Sequence, residues 1–451
     1  MATDLAPEAM ADAGITDYET VGIIKGSELE YMKTAHPFID RTSLVIVGDH
    51  VTLESGTGCV HTAPGHGVDD FVVCRKYPEI PIVVPVDENG VLTEEAGQFA
   101  GLTTDEANKP IAEHLEKLGA LFALKKIKHQ YPHCWRCHKP IIFRATSQWF
   151  CSVDDFKDAA VKAAEDVKWY PEWGKDRLQS MVVERADWCI SRQRKWGVPI
   201  PVVYCKECGK EIIDDGIMQK VSDIFGEEGS DAWFAHDAEY FLPEGFECPH
   251  CHKANGFEKE TDIMDVWFDS GSSHAAVLKN RNYLKWPADV YLEGADQYRG
   301  WFQSSLLTSV AAGNRAPYEQ IITHGWTVDG EGRKMSKSLG NGIAPQEIID
   351  KYGADILRLW VASADYHADI RISPEILKQI SDNYRKIRNT ARYCLGNLYD
   401  FDPDKDMVAN DELEELDKYA LMKLDEVIKT ARAGYDEYEY HTTAHALHNF
   451  C

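Results

Sequence analysis

A chain of 451 residues has room for two to four domains. Its 44% hydrophobic and 27% charged residues are the mix of an ordinary globular protein, no apolar run reaches bilayer-spanning length, and the N-terminus lacks the basic-then-apolar pattern of a signal peptide. A formal net charge of -26 excludes a surface coated in lysine and arginine for nonspecific nucleic-acid binding, yet leaves room for a local basic groove. These bounds predict a cytoplasmic protein with no membrane segment.

Residues 1 to about 145 alternate short apolar runs with Gly, Pro and Asp turns. Residues 44–51 and 80–86 read as strands, and residues 107–118 as a helix ended by Gly119. Between the strands lies a segment with four glycines (Gly56, Gly58, Gly65, Gly67), two histidines (His61, His66) and the pair Asp69 and Asp70. Such a segment can form a backbone-rich pocket floor with a few polar side chains aimed inward. The two aspartates then open a helix, where a carboxylate suits the N-terminal end. Read alone, the stretch is more often a Gly-rich turn with a helix cap than a pocket floor.

Twelve cysteines are unevenly spread, and six form three Cys-x-x-Cys pairs: Cys134/Cys137, Cys205/Cys208 and Cys248/Cys251. In a cytoplasmic chain such pairs point to metal ligation rather than disulfides. The second and third pairs frame an acidic insertion and together make a four-thiolate zinc site, structural because no coordination position stays open. The first pair supplies half a tetrahedral site, with His133 and His138 close by; either the site is incomplete in this chain or these two cysteines are structural relics. The remaining six cysteines read as small buried or incidental residues.

From about residue 146 tryptophan becomes frequent, and residues 185–197 mix guanidinium and indole groups densely. That mix suits a phosphate or nucleic-acid backbone as well as it suits ordinary ion pairs. It leads into a predicted strand over 198–204. Beyond the cysteine ribbon, residues 261–274 run strand to loop to helix. Residues 289–294 form a second strand, a helix follows to about Ala312, and residues 321–328 form a third strand. This alternation is the grammar of a parallel α/β sheet, whose ligand site lies at the carboxyl ends of the strands. Those ends carry Glu293, Asp296, Gln297 and His324. A polar loop, Gly330-Glu-Gly-Arg-Lys-Met-Ser-Lys-Ser-Leu-Gly-Asn341, follows at once. Its Lys334, Ser336, Lys337 and Ser338 surround one apolar residue, Met335. Ammonium groups and hydroxyls so placed stabilise charge developing on a polyphosphate, and flanking glycines let such a loop move. From Pro345 the pattern is helical: residues 345–352, 353–363, 374–398 and 411–433.

These segments resemble the class I aminoacyl-tRNA synthetases, and among them the isoleucyl-tRNA synthetase family. Lys334-Met-Ser-Lys-Ser338 matches the class I signature letter for letter. Residues 265–271 (Asp-Val-Trp-Phe-Asp-Ser-Gly) and 292–302 look like the isoleucine-specific catalytic segments. Residues 56–67 with Asp69 and Asp70 look like the floor of an editing pocket, and residues 188–197 like the return from the editing insertion. The resemblance implies an α/β fold: the C-terminal half of a Rossmann-type catalytic domain over 146–343, with the zinc ribbon inserted at about 204–260. It further implies part of a β-rich editing domain over 1–145 and the start of a helical anticodon-binding domain over 344–451. Lys334 and Lys337, with Ser336 and Ser338, would bind the phosphates of ATP, which arrives with Mg2+. Glu293, Gly294, Asp296 and Gln297 would hold the isoleucyl-adenylate, Trp267 and Trp301 would wall the isoleucine side chain, and His324 and Gly325 would lie by the adenine. Asp70, with Asp69 and His61 nearby, would bind the α-amino group of a mischarged amino acid. Cys205, Cys208, Cys248 and Cys251 would hold Zn2+, as would Cys134 and Cys137 with two further ligands. L-isoleucine, ATP and tRNA(Ile) are the implied partners of a monomer. Editing is implied because one methylene separates isoleucine from valine by only about 1–3 kcal/mol, a general argument for which this enzyme class is the standard illustration.

The family's HIGH signature and the Thr-rich strand of its editing pocket are absent, and the partner pair for Cys134/Cys137 is missing too. All three are expected upstream of residue 1, and most of the anticodon-binding domain downstream. The expectation is an internal fragment of a longer enzyme, inactive alone. A valyl or leucyl relative is the first alternative, disfavoured by residues 265–271 and 292–302. A non-enzymatic zinc-ribbon module that binds nucleic acid is the second, disfavoured by the acidity of residues 207–247. A generic nucleotide-binding protein is the third, disfavoured by the lack of a P-loop.

Overall fold

The structure is a computed structural model that describes residues 1–54, 56–254, 256–336 and 339–451. The chain divides into two compact units, Met1–Ser147 and Gln148–Cys451.

In the first unit, strands Lys33–Ala35 and Thr42–Leu44 pair antiparallel. The strand predicted over 44–51 stops early because the chain turns at Gly48, whose carbonyl accepts the N–H of Val51. Residues 80–86 form no strand; Pro81 and Pro85 lack the N–H that a ladder needs. Helix Val68–Cys74 carries Asp69 and Asp70 in its first turn. Helix Thr104–Lys117 is started by a capping box between Thr103 and Glu106. It is followed by Gly119, whose φ of +66° suits a chain leaving a helix. Val73, Cys74 and Tyr77 pack with Ile46 and Ile80 as a small core.

The second unit is built on a three-stranded parallel sheet in the order Tyr291–Gly294, Gln320–His324, Lys168–Tyr170. Register partners at the carboxyl ends are Glu293 with Thr323 and Gly294 with His324. The helix Trp301–Gly313 is apolar or small on every side, and so is buried on every side. It ends where Asn314 turns left-handed at φ 53°. Phe302, Leu306 and Leu307 from this helix meet Trp169, Leu178, Trp188, Tyr298 and Ile321 in the main core. Each such side chain contributes about 1.5–3 kcal/mol by leaving water. The predicted strand over 198–204 is shorter and later, Val203–Cys205.

Val203–Cys205 pairs with Glu211–Ile212 and with Phe257–Lys259 to make the ribbon. The insertion between the cysteine pairs reads in sequence as weakly apolar. In the structure it has its own core, with Trp233 and Phe241 fully buried beside Ile217 and Val221. Helical periodicity hid this, because the buried residues come from one amphipathic helix, Asp215–Glu228, and two single-turn helices.

Helices Pro345–Tyr352, Ala354–Ser363 and Pro374–Gly396 share a further core of Ile348, Ile356, Trp360, Leu377 and Ile380. Ser373 caps the last of these, its Oγ accepting the N–H of Ile376, and Pro374 starts it. Met335 of the polar loop packs against this core. The next helix, expected over 411–433, runs Glu415–Asp436 and is followed by Tyr440–Phe450. Among the described residues no helix is long and apolar enough to cross a membrane.

Candidate functional site

At the carboxyl ends of the strands, side chains crowd around two glycines. A Cβ on Gly294 would lie 2.8 Å from Asp296 Oδ1 and 3.4 Å from His324 Cε1. Asp296 and His324 therefore face the same backbone, one from each neighbouring strand end. A Cβ on Gly300 would lie 2.4 Å from Gln297 Oε1 and 3.0 Å from the ring of Trp267. Gln297 Oε1 accepts the N–H of Trp301 at 2.8 Å, and its Nε2 donates to Asp296 Oδ2 at 2.9 Å. Trp301 stacks on Tyr291 at 4.0 Å between centroids, and its Nε1 donates to the Ser270 carbonyl at 2.9 Å. His324 Nδ1 donates to the Gly325 carbonyl at 2.7 Å, since a carbonyl oxygen can only accept. Gly325 has no room for a side chain, since a Cβ would lie 2.4 Å from the Ala368 carbonyl oxygen. Glu293 is half-buried next to Gly294. The sequence-predicted group Glu293, Gly294, Asp296, Gln297, Trp267, Trp301, His324 and Gly325 thus gathers at one end of one sheet.

The polar loop leaves this sheet through Thr327–Val328, which pairs with Ile370–Arg371. Lys334 Nζ sits 5.6 Å above the Trp326 ring. The amide of Ser336 donates to Asn341 Oδ1 at 2.9 Å. Lys337 and Ser338 lie outside the described residues. The base of the loop lines a cavity of about 360 Å³ with Asp329, Arg333, Asn341, Ile343 and Ser373. The Asn341 side chain, then the amide and guanidinium of Arg333, hold the Asp329 carboxyl down at about 2 against the opposing effect of burial. A separate cavity of about 700 Å³ lies along Lys168, Tyr170, Lys175, His367 and Glu439, and none of the predicted site residues lines it.

Two carboxylates beside this site were quoted in sequence without a role. Asp265 is buried; it accepts the Trp188 indole N–H at 2.9 Å and pairs with Arg192 at 3.1 Å. Burial, with the charge of Asp265 adding to it, pushes the Asp269 carboxyl up to about 6. Asp329 and Asn341 were missed because neither stands in a recognisable spacing; each matters only through its partners.

The four thiols of Cys205, Cys208, Cys248 and Cys251 lie within 4.8 Å of one another. Cys205 and Cys251 are 3.6 Å apart, and Cys208 and Cys248 are 3.8 Å apart. A tetrahedron with zinc–sulfur bonds of about 2.3 Å needs sulfurs about 3.8 Å apart, so the set fits zinc. Burial raises the Cys248 thiol, but the amides of His250 and Cys251 outweigh it and bring it down to about 6. Among the described residues this is the one set of three or more donors gathered at ligand spacing. Cys134 and Cys137, in the first unit, have the same local backbone pattern as the two ribbon pairs. In all three pairs the first cysteine's N–H bonds the carbonyl five residues on, and the residue after the second cysteine bonds back to the first. That last residue, His138, Gly209 or His252, has a positive φ each time. The N–H of Cys137, then that of Arg136, lowers the Cys134 thiol.

In the first unit, Asp70 Oδ2 accepts the Ala63 N–H at 3.0 Å, and Asp70 Oδ1 lies 4.0 Å from His50 Nε2. Gly67 makes the space for this carboxylate, since a Cβ there would lie 2.5 Å from Asp70 Oδ2. His61 and Asp69 are exposed, and Asp69 precedes Asp70 in the first turn of the helix. His50, which sequence reasoning did not single out, approaches Asp70 to 4.0 Å.

Comparison with known proteins follows this geometry. A model of "tRNA synthetases class I (I, L, M and V)" matches residues 8–373. The chain is 60% identical over 451 residues to an isoleucine–tRNA ligase from Caldicellulosiruptor bescii, covering 100% of this chain and 49% of that protein. It is 56% identical over 451 residues to the corresponding ligase of Moorella thermoacetica, covering 48% of it. Among solved structures it is similar to Mycobacterium tuberculosis methionyl-tRNA synthetase in complex with methionyl-adenylate, at 18% identity and a TM-score of 0.48, over 70% of this chain and 53% of that one. The chain spans about half the length of the curated relatives it matches. With the family model matched across the sheet, the ribbon and the polar loop alike, the chain belongs to the class I tRNA synthetases of the I, L, M and V group.

Proposed function

We propose that the protein to which these residues belong is an isoleucine–tRNA ligase. It would form isoleucyl-adenylate from L-isoleucine and ATP with Mg2+, transfer the isoleucyl group to tRNA(Ile), and hydrolyse mischarged valine. The observation that carries the reading is the meeting of Asp296 and His324 over Gly294, one strand away from the Lys334 loop. Identity near 60% along the whole chain to isoleucine ligases supports the choice of amino acid.

In this reading Lys334, Ser336, Lys337 and Ser338 bind the phosphates and stabilise the charge that develops as pyrophosphate leaves. Glu293, Gly294, Asp296 and Gln297 hold the adenylate. Trp267 and Trp301 wall the isoleucine side chain, and His324 and Gly325 border the adenine. Asp70 receives the ammonium of the misplaced amino acid, with Asp69 and His61 beside it. Cys205, Cys208, Cys248 and Cys251 hold a structural Zn2+, and Cys134 with Cys137 supplies half of a second such site. Residues 1–145 belong to the editing domain, 146–343 to the catalytic domain, and 344–451 to the anticodon-binding domain of a cytoplasmic monomer.

ATP–pyrophosphate exchange tests this in a protein of the relatives' length. Isoleucine should drive exchange about a hundredfold more efficiently than valine, the size of a one-methylene discrimination. Equal or better exchange with leucine or valine would sink the proposal.

A further inference from the structure

Asp329 is a buried carboxylate at the exact point where the polar loop leaves the sheet, only 6% exposed. An ion so placed is costly unless its oxygens are filled. Asp329 Oδ1 accepts the N–H groups of Glu331 at 3.1 Å and Arg333 at 2.8 Å. Asp329 Oδ2 accepts Arg333 Nε at 2.8 Å and Asn341 Nδ2 at 2.9 Å. The first three partners make an ordinary tight turn. The fourth does not belong to the turn: it comes from the far end of the loop, twelve residues on.

Asn341 spends its remaining capacity on the loop backbone. Its Oδ1 accepts the N–H of Ser336 at 2.9 Å, and its Nδ2 also reaches the carbonyl of Lys334 at 3.3 Å. Those two residues flank Met335, which packs into the core of the following helices. Val328 bridges to Lys334 as well. The backbone of residues 334–336 is therefore held from three sides, with the Ser336 Oγ also accepting the N–H of Leu339 at 3.3 Å.

We propose that Asp329 and Asn341 form a clasp that sets the backbone of Lys334 and Ser336, which makes Asp329 a positioning residue for the nucleotide reaction. The proposal rests on the reading of this loop as the phosphate-binding element. Arg333 is the clasp's counter-charge, so its guanidinium neutralises Asp329 and is withheld from the phosphates. The low carboxyl of Asp329 agrees with a clasp that stays ionised at any working pH.

Three variants, Asp329→Ala, Asp329→Asn and Asn341→Ala, test it with two independent readouts. The first is tryptic cleavage after Arg333 and Lys334 in this chain, timed by mass spectrometry. Release of the clasp should speed cleavage about tenfold or more in Asp329→Ala and Asn341→Ala, without lowering the melting temperature of the main core. The second is ATP–pyrophosphate exchange in a protein of the relatives' length. Misplacement by about an ångström costs on the order of a hundredfold, so kcat should fall 10- to 100-fold while KM for the amino acid stays within about twofold. Asp329→Asn keeps an acceptor oxygen and should recover part of the loss in both readouts. Unchanged cleavage and unchanged kcat in Asn341→Ala would overturn the clasp. So would a parallel loss of amino-acid affinity and melting temperature, which would mark general structural damage. If the unmodified protein shows no exchange at all, the nucleotide reading fails, and the cleavage rates still decide whether the clasp exists.

Discussion

Gln297 joins the strand-end site to the buried helix behind it: Oε1 takes the N–H of Trp301 at 2.8 Å while Nε2 holds Asp296 at 2.9 Å. The same carboxamide thus satisfies a helix start and orients an acidic side chain. Gln297→Ala should lower stability by about 1 kcal/mol, the usual loss for a helix-start acceptor. In exchange assays it should raise KM for the amino acid at the same time. Urea denaturation and exchange kinetics on one variant check both effects; a change in one alone would separate the roles.

Gly325 offers a sharper steric test. An alanine Cβ would meet the backbone carbonyl of Ala368 at 2.4 Å, and backbone cannot rotate away as a side chain can. Gly325→Ala should cost about 1–3 kcal/mol, the range for overpacking. A denaturation midpoint equal to that of the unmodified chain would show that the two segments are less closely held than described.

Metal analysis of the purified chain should find about one zinc, bound by the four gathered thiols. Cys248→Ser should abolish it. The ribbon's own core, around Trp233 and Phe241, is distinct from the main core around Trp169 and Phe302. Loss of zinc should therefore unfold the insertion, seen as rapid proteolysis within residues 206–256, and leave the sheet intact. Two zinc ions per chain would mean that Cys134 and Cys137 find their two further ligands within this chain.

Asp269 makes a prediction for pH. Its carboxyl titrates near about 6 in the folded chain because of burial and the neighbouring Asp265, against about 3.9 when unfolded. The folded state then binds more protons than the unfolded state between those values. Stability contributed by this group is present below pH 4 and is lost as pH rises to about 6. Asp269→Asn should remove that loss, gaining stability relative to the unmodified chain between pH 4 and 6 and holding a constant advantage above. Urea midpoints across pH 4–7 measure it; parallel curves for the two proteins would refute the assignment.

Asp70 carries the editing proposal. A charge-assisted hydrogen bond to an ammonium contributes about 1.5–3 kcal/mol. Asp70→Ala in a protein of the relatives' length should slow deacylation of valyl-tRNA by about tenfold to a hundredfold and leave isoleucine-dependent exchange unchanged. His50 lies 4.0 Å from Asp70, so His50→Ala should have a smaller effect in the same direction.

Much of this was open to reading before any coordinates. The three Cys-x-x-Cys pairs, the strand–helix–strand order of residues 289–328 and the helix start at Pro345 all follow from local chemistry: thiol spacing, hydrophobic period, and a ring that lacks an N–H. Strand extents were not readable in the same way. Residues 80–86 look like a strand by composition, but a strand exists only through a partner, and two prolines leave gaps in the ladder. The core of the ribbon insertion also escaped notice, since Trp233 and Phe241 sit in single-turn helices too short to show a period.

Sequence alone thus determined the family-bearing segments, two neighbouring strands of the parallel sheet and the candidate metal-ligating thiols, because each is written in residues close together in the chain. The third strand, Lys168–Tyr170, was not foreseen, and the expected strand at Ile263–Met264 pairs antiparallel with Ser191–Arg192 instead. Tertiary structure decided that the ribbon insertion has its own core, which carboxylates are buried, and that Asn341 reaches back to Asp329. Those are contacts between distant residues, and their energy depends on distance and burial rather than on order along the chain.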